Sequence, residues 1–505
     1  MSESLRVPPG THEETLSQVP RQRRSPSWAG PDPVEELAER LEEFIASAVH
    51  PDEVAALLES DGMSDGRIRE HYGVENSFAL AEQLYARVDR HYPEPAAPVR
   101  DPWAVGLLGC LLRGVVFALP ALAYVLGAPL LAGPKDAFGL PAGTVPLLAG
   151  ALCGWTWNQG LAHRAYSWLG LGDRSAARRS LLLGAPAGAL LGALVAVAVA
   201  GTAHPAAAVF ATGQSCYLGA ATVLLVTGRE RALLIALLPM TAGALLDLAH
   251  PVPGPVGTLL LLGSLAAVVA LALREVAPAV KESGGGTWMA GLVALLPSGA
   301  FGAAPRRTRT AAPGLAGSVP YALFGLGSGV LVLYAALADV LAGGRSAVAA
   351  PAAVALTLSM GPAEWLLHRF RSGSLAGLRS SSTPRAFRRS TARTVAVCLA
   401  GYLAVLLGLA LAVSSVWPHG PGLGGVRLVA LLLLGVVLWT GLLLQSFGAV
   451  VGAASVCCAA ALAQTAGLVT HPGDPHWVAA AVYGAAAAAQ AGLVCRLLGR
   501  ATAHR

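Results

Sequence analysis

A guanidinium inside an apolar run has few places to put its charge, and Arg113 is in that position. Its neighbours are Cys110, Leu111, Leu112, Gly114 and Val115. An ionised group in hydrocarbon costs about 2.5 to 3.5 kcal/mol even on insertion scales, so it faces a cavity or a partner. Two readings stand. Arg113 holds an anionic head group, ideally a phosphate, in a central cavity, where a planar fork suits such ligands; or it forms a structural pair with another helix. Glu364 is open in the same way, as a proton or cation site, as the partner of Arg113, or as a helix anchor among nearby arginines.

Other polar residues in apolar runs complete the candidate set. Gln159 and His163 are one helical turn apart, as are Glu364 and His368, so each pair shares a helix face. Asn158, Gln214 and Gln464 suit a sugar-binding cavity or hydrogen bonds between helices. Asp339 and Asp247 fall near helix ends, where capping competes with ion coupling. Substrate binding is thus expected of Arg113, Asn158, Gln159 and Gln214, and ion coupling of Glu364 and Asp339. Trp155 and Trp157 fit either lining or packing. Hydrolase, metalloprotease and nucleotide-binding motifs are absent from the sequence, so no enzyme, cofactor or metal site is expected.

The elements that position these residues follow from composition. Of the 505 residues 54% are hydrophobic and 13% charged, and the mean hydropathy is +0.59, which excludes an ordinary soluble protein. An all-α polytopic membrane protein is expected. Seven cysteines lie in apolar runs without metal-ligand spacing and read as small buried hydrophobes.

Charge divides the chain. Twenty of the 29 acids lie within residues 1–101, whereas the rest carries 25 basic residues against 9 acids. Residues 1–32 are polar and Pro-rich and read as a disordered tail. No apolar stretch follows Arg21, Arg23 and Arg24, so the N-terminus is expected to stay in the cytoplasm. Residues 33–100 form an acidic helical cytoplasmic module of four short helices. Its first apolar stripe is Leu37, Leu41, Phe44 and Ile45, and its last includes Phe78, Leu80, Ala81, Leu84, Tyr85 and Val88. Residues 32–95 hold 16 acids and 5 arginines, which repels nucleic acid; a protein partner for residues 33–92 is expected instead.

Apolar stretches of about 20 residues, enough to cross a bilayer, lie near 104–131, 140–162, 180–201, 206–227, 231–250 and 255–273. Six more lie near 317–342, 347–368, 394–416, 427–446, 447–469 and 476–498. This gives a first six-span bundle (101–273), a cytoplasmic linker (274–314) in which 288–296 suits a membrane surface, and a second bundle with a short tail (315–505). With both termini inside, 21 basic residues face the cytoplasm, and only Lys135, Arg345 and Arg427 lie outside.

The bundles echo each other. Gln159-Gly160-Leu161-Ala162-His163-Arg164 pairs with Glu364-Trp365-Leu366-Leu367-His368-Arg369 at an offset of 205, each followed by a long, arginine-rich connection. Six spans per half make the repeats parallel, a plan that suits transport by alternating access.

Gly170-Leu171-Gly172-Asp173, followed by Ala177-Arg178-Arg179, resembles the junction of spans two and three in MATE-type transporters, of the multidrug and polysaccharide-lipid flippase superfamily. The specific motif covers about ten residues, and the segment 372–393 of the second half lacks it. The resemblance implies a flippase or exporter with a cationic cavity for a polyprenyl-linked sugar or other anionic amphipathic substrate among membrane lipids. Asp173, Arg174, Arg178 and Arg179 also fit a major facilitator pattern, but Leu169 stands where its leading glycine belongs, and the long connection separates the two. An ion-coupled antiporter is therefore the alternative, and a non-transporting membrane scaffold the third reading.

Overall fold

A computed structural model describes residues 32–89, 106–134, 140, 141, 143–282, 314–341, 351–381, 383–416, 424–471 and 473–498. Almost all of the 1–32 tail, most of the 274–314 linker including 288–296, and Lys135 and Arg345 lie outside the described residues. The chain divides into two units, Met1–Arg100 and Asp101–Arg505.

In the first unit the helices are α1 (Pro33–Arg40), α2 (Glu42–Ser47), α3 (Pro51–Ser60), α4 (Asp65–Tyr72) and α5 (Ser77–Arg87). Local chemistry sets their ends. Asp32 accepts the Val34 N–H at 3.0 Å ahead of Pro33, Asn76 accepts that of Ala79 at 2.9 Å, and Gly73 turns left-handed at φ +67° to stop α4. Leu37, Ile45, Val54, Leu58, Ile68, Leu80 and Leu84 form the core.

Five helices replace the expected four, because the chain breaks at Leu41 (φ −105°, ψ 12°). That break rotates the stripe: Ile45 turns inward, while Phe44 is exposed, as is Phe78 at the start of α5.

The second unit begins with α6 (Leu107–Ala118) and α7 (Ala123–Leu131), joined by a 3-10 turn at Leu119–Leu122 that contains Pro120. Proline lacks the N–H that a continuous helix would use there. The other helices of the first half are α8 (Thr144–Gly170), α9 (Arg174–Ala200), α10 (Pro205–Val226), α11 (Glu230–Ala249) and α12 (Gly254–Glu282). The second half holds α13 (Val319–Leu341), α14 (Pro351–Ser380), α15 (Pro384–Val416), α16 (Val426–Ser446), α17 (Val450–Thr470) and α18 (Pro475–Leu498).

Counting α6 with α7 as one, ten of these helices are long and apolar enough to cross a membrane. The protein is an all-α, multi-pass membrane protein. The two that fall outside this set, α8 and α14, are 27 and 30 residues long, and they carry the repeated Gln/Glu, His and Arg motif.

Several helices run further than the hydropathy suggested. The arginine-rich connections are mostly helix: α8 and α9 are separated by residues 171–173 alone, and α14 and α15 by 381–383. Alanine, leucine and arginine have high helix propensity, so the helix continues past the apolar run. The connection length that set this chain apart from the major facilitator pattern is thereby lost. Likewise α12 continues to Glu282, taking the first residues of the 274–314 linker. The division between the stretches 427–446 and 447–469 is a turn in which Gly448 adopts φ +76°.

Small residues set the packing. Leu161 and Trp157 of α8 fill the spaces over Gly184 and Gly188 of α9, and Gly219 of α10 sits against the Ala185 carbonyl. In the second half, the wholly buried Gln490 of α18 accepts from Thr440 of α16 at 2.6 Å and donates to Cys457 Sγ of α17 at 3.4 Å. Cys110, Cys398 and Cys457 are buried as expected, but Cys495 is exposed. An apolar helix face in lipid needs no protein cover, so an apolar run does not specify which of its residues face inward.

Candidate functional site

Two crossings join helices of the first half to helices of the second: α6 packs on α14, and α8 on α13. The first is a glycine contact. A Cβ on Gly361 would lie 2.6 Å from the Cys110 carbonyl oxygen, and one on Gly114 2.9 Å from the Gly361 nitrogen. With neither Cβ present, the backbones touch, as small residues permit between membrane helices.

Beside this contact sits the charged centre of the unit. The Arg113 guanidinium donates through Nη1 to Glu364 Oε1 of α14 and pairs through Nη2 with Glu230 Oε1 in the first turn of α11. One fork thus ties α6, α11 and α14 together. The three side chains are 36, 18 and 24% exposed, so both carboxylates are better shielded than the cation. His368 lies one turn beyond Glu364, its Nε2 3.8 Å from Oε1. The centre can exchange one carboxylate for another anion, or take up a proton, without losing every ionic contact.

The sequence left Arg113 open between a cavity ligand and a structural pair, and Glu364 open with partnership to Arg113 among its readings. In this conformation the guanidinium is engaged by protein carboxylates. Glu230 was not singled out by the sequence. An acid in the first turn of an apolar helix satisfies the helix dipole, and nothing local distinguishes that role from pairing with Arg113.

The other crossing is neutral. The Gln159 side chain covers Gly325 of α13, whose Cβ would come within 2.7 Å of Gln159 Cγ. His163 Nδ1 lies 3.1 Å from Ser318 Oγ, and its ring stacks on Tyr321 at 3.7 Å between centroids. The two six-residue segments that matched in sequence therefore occupy the two crossings between halves.

The remaining candidates scatter. Asn158 of α8 and Gln214 of α10 each keep a buried side-chain oxygen without a hydrogen-bond partner among the described residues, as does Gln464 of α17. No hydrogen bond among the described residues joins these three. Trp157 donates to the Gly184 carbonyl at 2.7 Å, which favours packing. Asp247 Oδ1 accepts the Val252 N–H at 2.8 Å just past the end of α11, the capping role. Asp339 belongs to α13, but its side chain lies outside the described residues.

Within the Gly-x-Gly-Asp motif, Gly172 adopts φ +77° and Asp173 caps α9, accepting from the Ala176 N–H and the Ser175 hydroxyl, both at 2.8 Å. These bonds, the backbone one foremost, hold the Asp173 carboxyl below its ordinary value. A depressed carboxyl contributes stability above its unfolded-state pKa and loses it as pH falls through the folded-state pKa. Asp173→Ala is therefore expected to cost about 1 kcal/mol near neutrality. In denaturant titrations the gap to wild type should close as the solution is made acid; a gap that stays constant with pH would refute the cap.

Compared with known proteins, the chain matches no family model, no curated protein and no solved structure.

Proposed function

We propose that this membrane protein is a transporter working by alternating access, built from twelve spans in two parallel six-helix repeats with both termini in the cytoplasm. Its substrate is an anionic amphiphile such as a polyprenyl-linked sugar, as in the flippases that the Gly170–Arg179 segment resembles.

The packing supports this plan. Exchanging the halves maps α8 on α9 to α14 on α15, α10 on α12 to α16 on α18, α11 on α12 to α17 on α18, and α7 on α11 to α13 on α17. It also exchanges the two crossings with each other. That is the pattern expected of repeats related by an axis along the membrane normal.

The observation that carries the function is the Arg113 fork. It fastens the first half to the second beside the Gly114–Gly361 contact, among helix ends rich in arginine. Opening toward the cytoplasm requires Arg113 to part from Glu364. A substrate phosphate offers the guanidinium a replacement anion, and a ligand that favours one state over the other shifts the balance between them.

The test is translocation of an NBD-labelled short polyprenyl diphosphate in proteoliposomes, followed by dithionite quenching. Wild type is expected to move the probe, and Arg113→Ala to slow it at least tenfold, the loss of about 1.4 kcal/mol. Equal rates in wild type, variant and protein-free vesicles would reject the transporter.

Two carboxylates and a histidine around one guanidinium also favour a second reading, an ion-coupled antiporter. Flux that stops when the proton or sodium gradient is collapsed selects it over the uncoupled flippase.

A further inference from the structure

A cleft of about 380 Å³ opens between the α8–α9 junction, the α10–α11 turn and α12. Three arginines line it, Arg174, Arg178 and Arg229, against a single acid, Glu275. Arg174 and Arg178 are one turn apart on the same face of α9, and their side chains have no ion pair or hydrogen bond among the described residues. Arg229 donates through Nε to Glu275 at 2.9 Å, which leaves its terminal nitrogens for another acceptor. Asp173 and Glu230, the acids adjacent in sequence to Arg174 and Arg229, are occupied in capping α9 and in pairing with Arg113.

The cleft therefore has an excess of two positive charges over a floor that includes the buried Leu181 and Val226. Crowded guanidiniums repel one another unless an anion joins them, and their forks match phosphate oxygens. The apolar floor suits a chain attached to that phosphate. We infer that this cleft binds the phosphate of an anionic lipid, separately from the Arg113 centre and whether or not the protein transports.

The full-length protein in phosphatidylcholine micelles is titrated calorimetrically with dioctanoyl phosphatidic acid and, separately, with inorganic phosphate. Phosphatidic acid is expected to bind, and Arg174→Gln with Arg178→Gln to weaken it tenfold or more, as the loss of charge-assisted bonds implies. Arg388→Gln with Arg389→Gln removes the same charge from exposed positions outside the cleft and should leave the affinity unchanged. Equal affinity for inorganic phosphate would keep the phosphate site but assign it to a free anion. No binding of either ligand, or equal weakening by both double variants, would overturn the site. Because lysines preserve the positive charge, Arg174→Lys with Arg178→Lys is the second variant. Intermediate weakening is expected, and wild-type affinity would overturn recognition by the guanidinium forks.

Discussion

Replacing Arg113 by alanine should destabilise the protein by about 3 kcal/mol, because it strands two shielded carboxylates beside each other. Glu364→Gln is milder, at about 1 kcal/mol, since the cation keeps Glu230 and an amide oxygen still accepts. The asymmetry distinguishes a shared cation from two independent surface pairs. The neutral triple variant, Arg113→Met with Glu230→Gln and Glu364→Gln, should recover most of the lost stability, because replacing a whole shielded ion cluster by neutral groups costs far less than breaking it. It should not recover translocation if the charged centre acts as the latch. Denaturant titration of the purified protein reads the first effect and the vesicle assay the second. An Arg113→Ala variant no less stable than Arg388→Ala would remove the ionic fork from the account of the fold.

Gly361→Ala should be nearly as damaging, for a steric reason. The new Cβ would meet the Cys110 carbonyl at 2.6 Å, a backbone atom that no side-chain rotation can move, so α6 and α14 must separate. Overpacking of this kind costs about 1 to 3 kcal/mol. Separation also lengthens the reach from Arg113 to Glu364, so Gly361→Ala and Arg113→Ala should sum to less than their separate effects. Gly408 of α15 supplies the control. Nothing lies within 4 Å of its Cβ position, so Gly408→Ala should be neutral or stabilise by about 0.5 to 1 kcal/mol through helix propensity. Equal effects at both glycines in denaturant titrations would mean that the close crossing is absent in the folded protein.

Helix positions were largely legible, and helix ends less so. Each of the twelve apolar stretches holds helix among the described residues, but α8, α9, α14 and α15 extend through polar, arginine-bearing sequence because propensity continues after hydropathy falls. The acidic module shows the opposite failure. One break at Leu41 turned Phe44 outward, since the face that a short helix buries depends on the angle at which the chain enters it.

The candidate site divides similarly. The matching segments Gln159–Arg164 and Glu364–Arg369 were visible as text, and they lie at the two crossings between halves. Their offset could not reveal that one crossing would be ionic and the other built on Gly325, Tyr321 and Ser318. Asn158 and Gln214 lie on neighbouring helices, yet no hydrogen bond joins them among the described residues, because packing rather than residue type decides which face of an apolar helix turns inward.

The sequence alone determined that this chain folds into long apolar helices and carries a small acidic helical module ahead of them. Away from water every backbone N–H must find a carbonyl within its own segment, so helix formation is settled locally by residue type. Only the tertiary structure decided which carboxylates Arg113 meets. Arg113 and Glu364 are 251 residues apart, and with both lipid-facing and buried helix faces apolar, no periodicity marks the inner side. Their meeting depends on how closely Gly114 and Gly361 let two backbones approach.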